Sequence, residues 1–121
     1  QIIEEEDLVR QSAEKGAYLL AELDKLRSHP SVGDVRGVGL FTAVDLVKNK
    51  QTKESFGREH PFSRRVHDEL FARGLVTRVW DVIHVAPPLV VTKDELDRIV
   101  TAIDEALTIA ERGFSSELSG D

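Results

Sequence analysis

Val35-Arg36-Gly37-Val38-Gly39-Leu40-Phe41-Thr42-Ala43-Val44-Asp45-Leu46-Val47, led in by Val32-Gly33-Asp34, is the stretch that decides the fold. Valine, phenylalanine and threonine suit a pleated surface, so the run predicts a strand over 32–47. One face carries Val38, Leu40, Thr42, Val44 and Leu46, and the other Gly39, Phe41, Ala43, Asp45 and Val47. A strand apolar on nearly both faces is covered on both, or covered by something missing from this chain. Gly33, Gly37 and Gly39 point to a bulge or to a close approach of another backbone.

Upstream, residues 4–27 read as a helix. Val9, Ala13, Gly16, Leu20 and Leu23 recur at helical spacing, with Ala17, Leu19 and Leu26 widening the stripe. Gly16 in a helix costs roughly 1 kcal/mol against alanine, so Gly16-Ala17 suggests that another element packs close. His29-Pro30 stops the helix.

Downstream, a polar loop from Lys48 reaches His60, and Pro61 suits the first turn of a second helix. Phe62, Val66 and Leu70 form its apolar face, and Gly74 fits the position just past its end. Arg64–Asp68 and Arg65–Glu69 are i,i+4 pairs on its wet face. Residues 75–79 and 82–86 read as two short strands with only Trp80 and Asp81 between them, a spacing that allows a hairpin. Pro87-Pro88 ends the pairing, because proline has no N–H to donate. In the last helix, Thr92 and Glu95 spell a capping box, and Val91 with Leu96 fits a hydrophobic staple. Leu96, Ile99, Val100, Ile103, Ala106, Leu107 and Ala110 make its buried stripe. The tail from Gly113 to Asp121 is expected to fray. The order helix, strand, helix, two strands, helix predicts an α/β unit of the two-layer α+β kind. Its sheet is small, mainly antiparallel and packed by helices.

The chain has 121 residues, room for one domain, and a net charge of −6. Such acidity disfavours phosphate backbones and anionic lipids, so neither nucleic acid nor membrane is an expected partner. With no cysteine there is no disulfide, thiolate metal site or cysteine nucleophile, and a cytoplasmic location is expected. The sequence holds no methionine and begins at Gln1 inside a helical pattern, so a fragment of a longer protein is expected.

Self-contained catalysis is hard to find. His29, His60, His67 and His84 lack metal-ligand spacing, and His29 and His60 each precede a proline, which reads as turn chemistry. Asp94, Glu95, Asp97, Asp104 and Glu105 read as a cap and a solvated face rather than an acid–base pair. Gly33, Gly37 and Gly39 do not spell a phosphate loop. Lys48, Lys50 and Lys53 read as an exposed basic turn.

Three stretches in register are Val35 to Val47, then Gly74-Leu75-Val76-Thr77-Arg78, then Asp81-Val82-Ile83-His84-Val85-Ala86-Pro87-Pro88-Leu89-Val90-Val91-Thr92. Together they resemble class III pyridoxal-phosphate aminotransferases. The resemblance implies the carboxy-terminal small domain of a fold-type-I enzyme. Residues 1–30 would then be the helix linking from a missing large domain, 31–112 the small domain and 113–121 a polar tail. It implies amino-group transfer, with pyridoxal 5'-phosphate held as a Schiff base by a lysine of the full-length parent. None of Lys15, Lys25, Lys48, Lys50, Lys53 or Lys93 sits in that lysine's motif. No catalytic, cofactor-binding or metal-binding residue is therefore expected in this chain, which alone should be inactive and bind no cofactor.

In the ω-amino acid:pyruvate subgroup, an arginine of the "G-L-[IV]-x-R" strand binds the substrate carboxylate, and Arg78 matches it. A guanidinium offers a carboxylate a bidentate fork and stays charged. The plain alternative is a strand-end arginine satisfied by Asp81 or water. Trp80 beside it either walls the substrate pocket or caps the local core. A branch similar to ornithine and dialkylglycine enzymes places an arginine two residues before A-P-P. Here that position is His84, which cannot make the same fork, so the ω subgroup is favoured. The expected parent is a cytoplasmic homodimer that takes an amine or ω-amino acid and an oxo acid such as pyruvate. Cut loose, the piece is expected to self-associate through its exposed domain interface. The rival reading is a free-standing, non-catalytic α/β module that binds a ligand or partner.

Overall fold

The structure, a computed structural model, describes residues 2–56, 60–75, 77, 79, 81–87 and 91–118, with backbone alone for 2–8. Helix α1 (Ile2–Asp24) runs on into a 3-10 turn, Lys25–Ser28. Strands β1 (Val32–Val38) and β2 (Phe41–Leu46) follow, then α2 (Pro61–Ala72), β3 (Val82–Val85) and α3 (Lys93–Gly113). The sheet order is β1-β2-β3, antiparallel throughout.

The expected single strand over 32–47 is in fact a hairpin. Val38 pairs with Phe41 across a two-residue connection, and Gly39 there has φ +58. A positive φ at the first central residue is what a type II′ hairpin turn demands, and glycine supplies it without steric cost. The expected bulge is present: the register shifts between Val32 and Asp34. Of the two expected strands after α2, the second is present as β3, Val82–Val85. Among the described residues of 75–79, Val79 makes an isolated bridge to Ile83.

Folding the stretch back on itself explains its two apolar faces. Val35, Val44, Leu46, Ile83 and Val85 point inward and are buried. On the opposite face Arg36 pairs with Asp45 at 2.8 Å, while Val38 and Phe41 are 83% and 78% exposed.

In α1 the buried positions are Gly16, Leu19 and Leu23, continued by Leu26 in the 3-10 turn. Of the expected stripe, Gly16, Leu19, Leu23 and Leu26 are buried and Leu20 is half-buried, while Ala13 and Ala17 are exposed. Val9 is 70% exposed, and with Ala13 and Ala17 it lines a shallow groove of about 450 Å³ against Gly37 and Gly39. The close packing read from Gly16-Ala17 is present: a Cβ at Gly16 would lie 2.2 Å from the carbonyl oxygen of Gly39. Backbone meets backbone there, so helix and hairpin turn fix each other's position.

Phe62, Val66 and Leu70 of α2 are wholly buried, as are Leu96, Ile103 and Leu107 of α3. Arg65 and Glu69 make their expected pair at 3.2 Å. The capping box at Thr92 and Glu95 is complete, with bonds of 3.1 and 2.9 Å. The accepted backbone N–H holds the Glu95 carboxyl below its ordinary pKa. The residues after α3 open with an anchor rather than a loose end. Phe114 packs edge-on to Phe62, with ring centroids 5.8 Å apart, and Glu117 lies 2.8 Å from His60.

Candidate functional site

The segment from Gly74 to Thr92 carries the residues singled out for chemistry, and the chain enters it by a closure at the end of α2. Gly74 has φ +85; its N–H reaches Phe71 O at 3.0 Å, and Leu75 N–H reaches Leu70 O at 2.9 Å. These two bonds are a Schellman closure, which uses the helix's last free carbonyls and turns the chain sharply. The Thr77 hydroxyl then donates to His84 O at 2.7 Å, and Val79 bridges Ile83. Val79 and Ile83 are buried, so Val79 is tied to β3 by backbone and core alike. In β3, Ile83 and Val85 face the core and His84 faces out, exposed. Thr42 secures the far end by donating to Val85 O at 2.6 Å.

A cleft of about 670 Å³ opens along this segment. Leu75, Thr77 and His84 form one wall; Val91, Ile99 and Ala102 form another, with Arg73, Glu95 and Arg98 as its charged members. Arg73 is already committed, to Glu69 at 2.9 Å and Glu105 at 3.1 Å. Glu95 serves the cap. The cleft therefore pairs an apolar bed with a polar edge, an arrangement suited to a ligand with an apolar body.

Arg78 and Trp80, the two expected substrate-binding residues, lie outside the described residues, as does Pro88. Their described neighbours Thr77 and Val79 are placed as above. The sequence named Asp81 only as a partner that could satisfy Arg78; its buried carboxylate was not foreseen. Its carbonyl accepts from Leu46 N–H at 2.7 Å, extending the β2–β3 ladder. One of its carboxylate oxygens is buried, and no described residue donates to it. An acidic residue between two strands carries no pattern that would have exposed this.

A lysine that holds pyridoxal phosphate needs a desolvated amine, and no lysine of this chain is buried. Lys25 pairs with Glu22 at 2.8 Å, Lys48 with Glu54 at 3.3 Å, and Lys53 donates to Gly33 O at 2.6 Å. Lys50 donates to Arg27 O, and Lys93 lies over the Tyr18 ring. The described residues do not fit a cofactor site. Among them there is also no cluster of side chains suited to a metal ion, and no helix long and apolar enough to cross a membrane.

The family profile for aminotransferase class-III matches residues 1–107. The chain belongs to the class-III aminotransferase family. The family is pyridoxal-phosphate-dependent, and its substrates are amines and oxo acids. The chain is 35% identical over 109 residues to the putrescine–pyruvate aminotransferase of Pseudomonas aeruginosa, covering 88% of this chain and 24% of the relative. It is 36% identical over 115 residues to the isoleucine 2-epimerase of Lentilactobacillus buchneri, covering 93% and 25%. Among solved structures, the omega transaminase from Pseudomonas jessenii in complex with PMP superposes with a TM-score of 0.84 at 32% identity, over 94% of this chain and 25% of that one. This class-III chain thus spans about a quarter of the length of the relatives it matches.

Proposed function

We propose that this chain is the carboxy-terminal part of a pyridoxal-phosphate aminotransferase. That parent moves an amino group from an ω-amino acid or amine to an oxo acid such as pyruvate. The observation that carries the reading is the likeness to an omega transaminase at a TM-score of 0.84 over 94% of the chain. Residues 1–30 lead in from the large domain, 31–112 are the small domain and 113–121 its polar tail. The large domain supplies the cofactor lysine, which accounts for the lack of a buried lysine here. Val9, Val38 and Phe41 belong to the face which that domain covers, and the isolated piece self-associates through it. The parent is a cytoplasmic homodimer.

Arg78 binds the substrate carboxylate and Trp80 walls the pocket. Support comes from the "G-L-[IV]-x-R" match and from the cleft beside Thr77 and His84, whose apolar bed suits the rest of a substrate. In the intact parent, Arg78→Ala raises KM for carboxylate substrates far more than for plain amines. A desolvated, bidentate charge pair is worth about 2–5 kcal/mol. Steady-state kinetics on one carboxylate substrate and one plain amine measure this, and equal losses on both reject the role.

A second reading has its own support in the 36% identity to an isoleucine 2-epimerase. Incubating the intact parent with a single L-amino acid and no oxo acid separates the two. Appearance of the D-enantiomer favours epimerisation; conversion only when an oxo acid is added favours transamination.

A further inference from the structure

The proposed chemistry makes no use of His29, a buried ring held between two carboxylates. It sits where the 3-10 turn ends and β1 begins, 8% exposed. Its Nδ1 lies 2.8 Å from Glu111 Oε1, and its Nε2 lies 2.5 Å from Asp104 Oδ1. A neutral imidazole has one N–H and one lone pair, and a carboxylate only accepts. Two carboxylates at the two nitrogens therefore demand that both nitrogens carry hydrogen. The other Glu111 oxygen accepts from Ser31 N–H at 3.2 Å and from the Ser31 hydroxyl. Turn 29–31 thus hangs on α3 by the His29 ring and by Ser31.

We propose that His29 is a pH-sensitive latch. Charged, it clamps the junction of α1 and β1 onto α3; neutral, it sets a lone pair against a carboxylate and releases that junction. The charges acting on it among the described residues are Asp104 and Glu111, both from α3. The neighbouring cations turn elsewhere: Lys25 to Glu22, Arg27 to Asp24 and Asp34, and Lys50 to Arg27 O. The Glu111 bond, opposed by burial and aided by Asp104, raises the His29 pKa above its ordinary value. The sign follows from that direction. The clamp contributes fully below about pH 6.5, the ordinary histidine value. It is lost as pH rises through the higher folded-state value.

The latch also bears on the groove side of the molecule. Gly16 seats α1 on the hairpin turn, so freeing the 29–31 turn from α3 is passed through α1 to the hairpin turn.

Nitrogen-detected NMR of this chain reads the ring directly. The expected result is two protonated nitrogens on His29 near neutral pH, with a titration midpoint above that of free histidine. Hydrogen exchange over 26–35, corrected for its intrinsic base dependence, should lose about tenfold protection across that midpoint. His29→Gln should remove the step. Asp104 is mostly exposed, so Asp104→Asn should fold and lower the midpoint. A singly protonated His29 ring at pH 6, an unmoved midpoint in Asp104→Asn, or an unchanged exchange step in His29→Gln overturns the proposal.

Discussion

At His29-Pro30 the ring is buried and meets a carboxylate oxygen at each nitrogen. At His60-Pro61 the ring is half-buried and caps α2: its Nδ1 accepts from Phe62 N–H at 3.0 Å, and its Nε2 lies 2.8 Å from Glu117. The same dipeptide stops one helix and starts another, and in both cases the proline sets the backbone. The proton count differs. An accepting Nδ1 must keep its lone pair, so the His60 cap exists in the neutral ring, with hydrogen on Nε2. Two accepting neighbours at His29 leave no room for a lone pair. What each ring carries is thus decided by the element that packs on it, α3 in one case and its own helix N-terminus in the other.

One substitution made at both corners tests this difference. Glu111→Gln removes the buried negative charge from His29 and turns an amide N–H toward groups that themselves donate. Taking one of its two carboxylate partners from a buried charge is expensive, and about 3 kcal/mol of destabilisation is expected. Urea denaturation of the chain at pH 6 measures it. A loss below about 1 kcal/mol, the worth of an ordinary neutral hydrogen bond, says the ring is not held as a cation. The second effect in size belongs to the other corner. His60→Ala removes the side-chain acceptor at the start of α2 and should cost about 1 kcal/mol. His60→Asn replaces that acceptor and should recover most of it. Equal losses for Ala and Asn would assign His60's contribution to its packing against Phe56 and Phe114 instead.

The corners also show what the sequence can and cannot disclose. The local signals were legible: a cap at Thr92, a glycine after α2, and an apolar repeat at Phe62, Val66 and Leu70. Each depends on residues within one turn of one another, so the linear pattern holds the whole interaction. The hairpin at Gly39-Leu40 was hidden because a Gly-Leu pair among valines continues a strand pattern as readily as it reverses one. What settles it is Gly16, more than twenty positions away, whose missing side chain admits the Gly39 carbonyl. His29 was hidden for the same reason, its partners Asp104 and Glu111 lying at the far end of the chain. On α3 Asp104 looks like one more solvated carboxylate. The candidate substrate residues differ again. Arg78 and Trp80 were legible only through the family resemblance, because a substrate-binding arginine and a solvent-facing one have the same spelling.

The smallest expected effect is the most discriminating. Glu117→Gln at the His60 corner keeps an oxygen acceptor for the Nε2–H and deletes only the charge. A neutral ring donates to an amide oxygen nearly as well as to a carboxylate, and the Glu117 side chain is 46% exposed, so water screens the charge further. The change should lie below about 0.5 kcal/mol, and added salt should scarcely alter it. A loss approaching that of Glu111→Gln would mean that Glu117 holds a cation. A protonated His60 has no lone pair for Phe62 N–H, so the cap at the start of α2 could not then be what orders the ring. The contrast between the corners would collapse into a single kind of ion pair, with Glu117, not the helix N-terminus, fixing the proton count at His60.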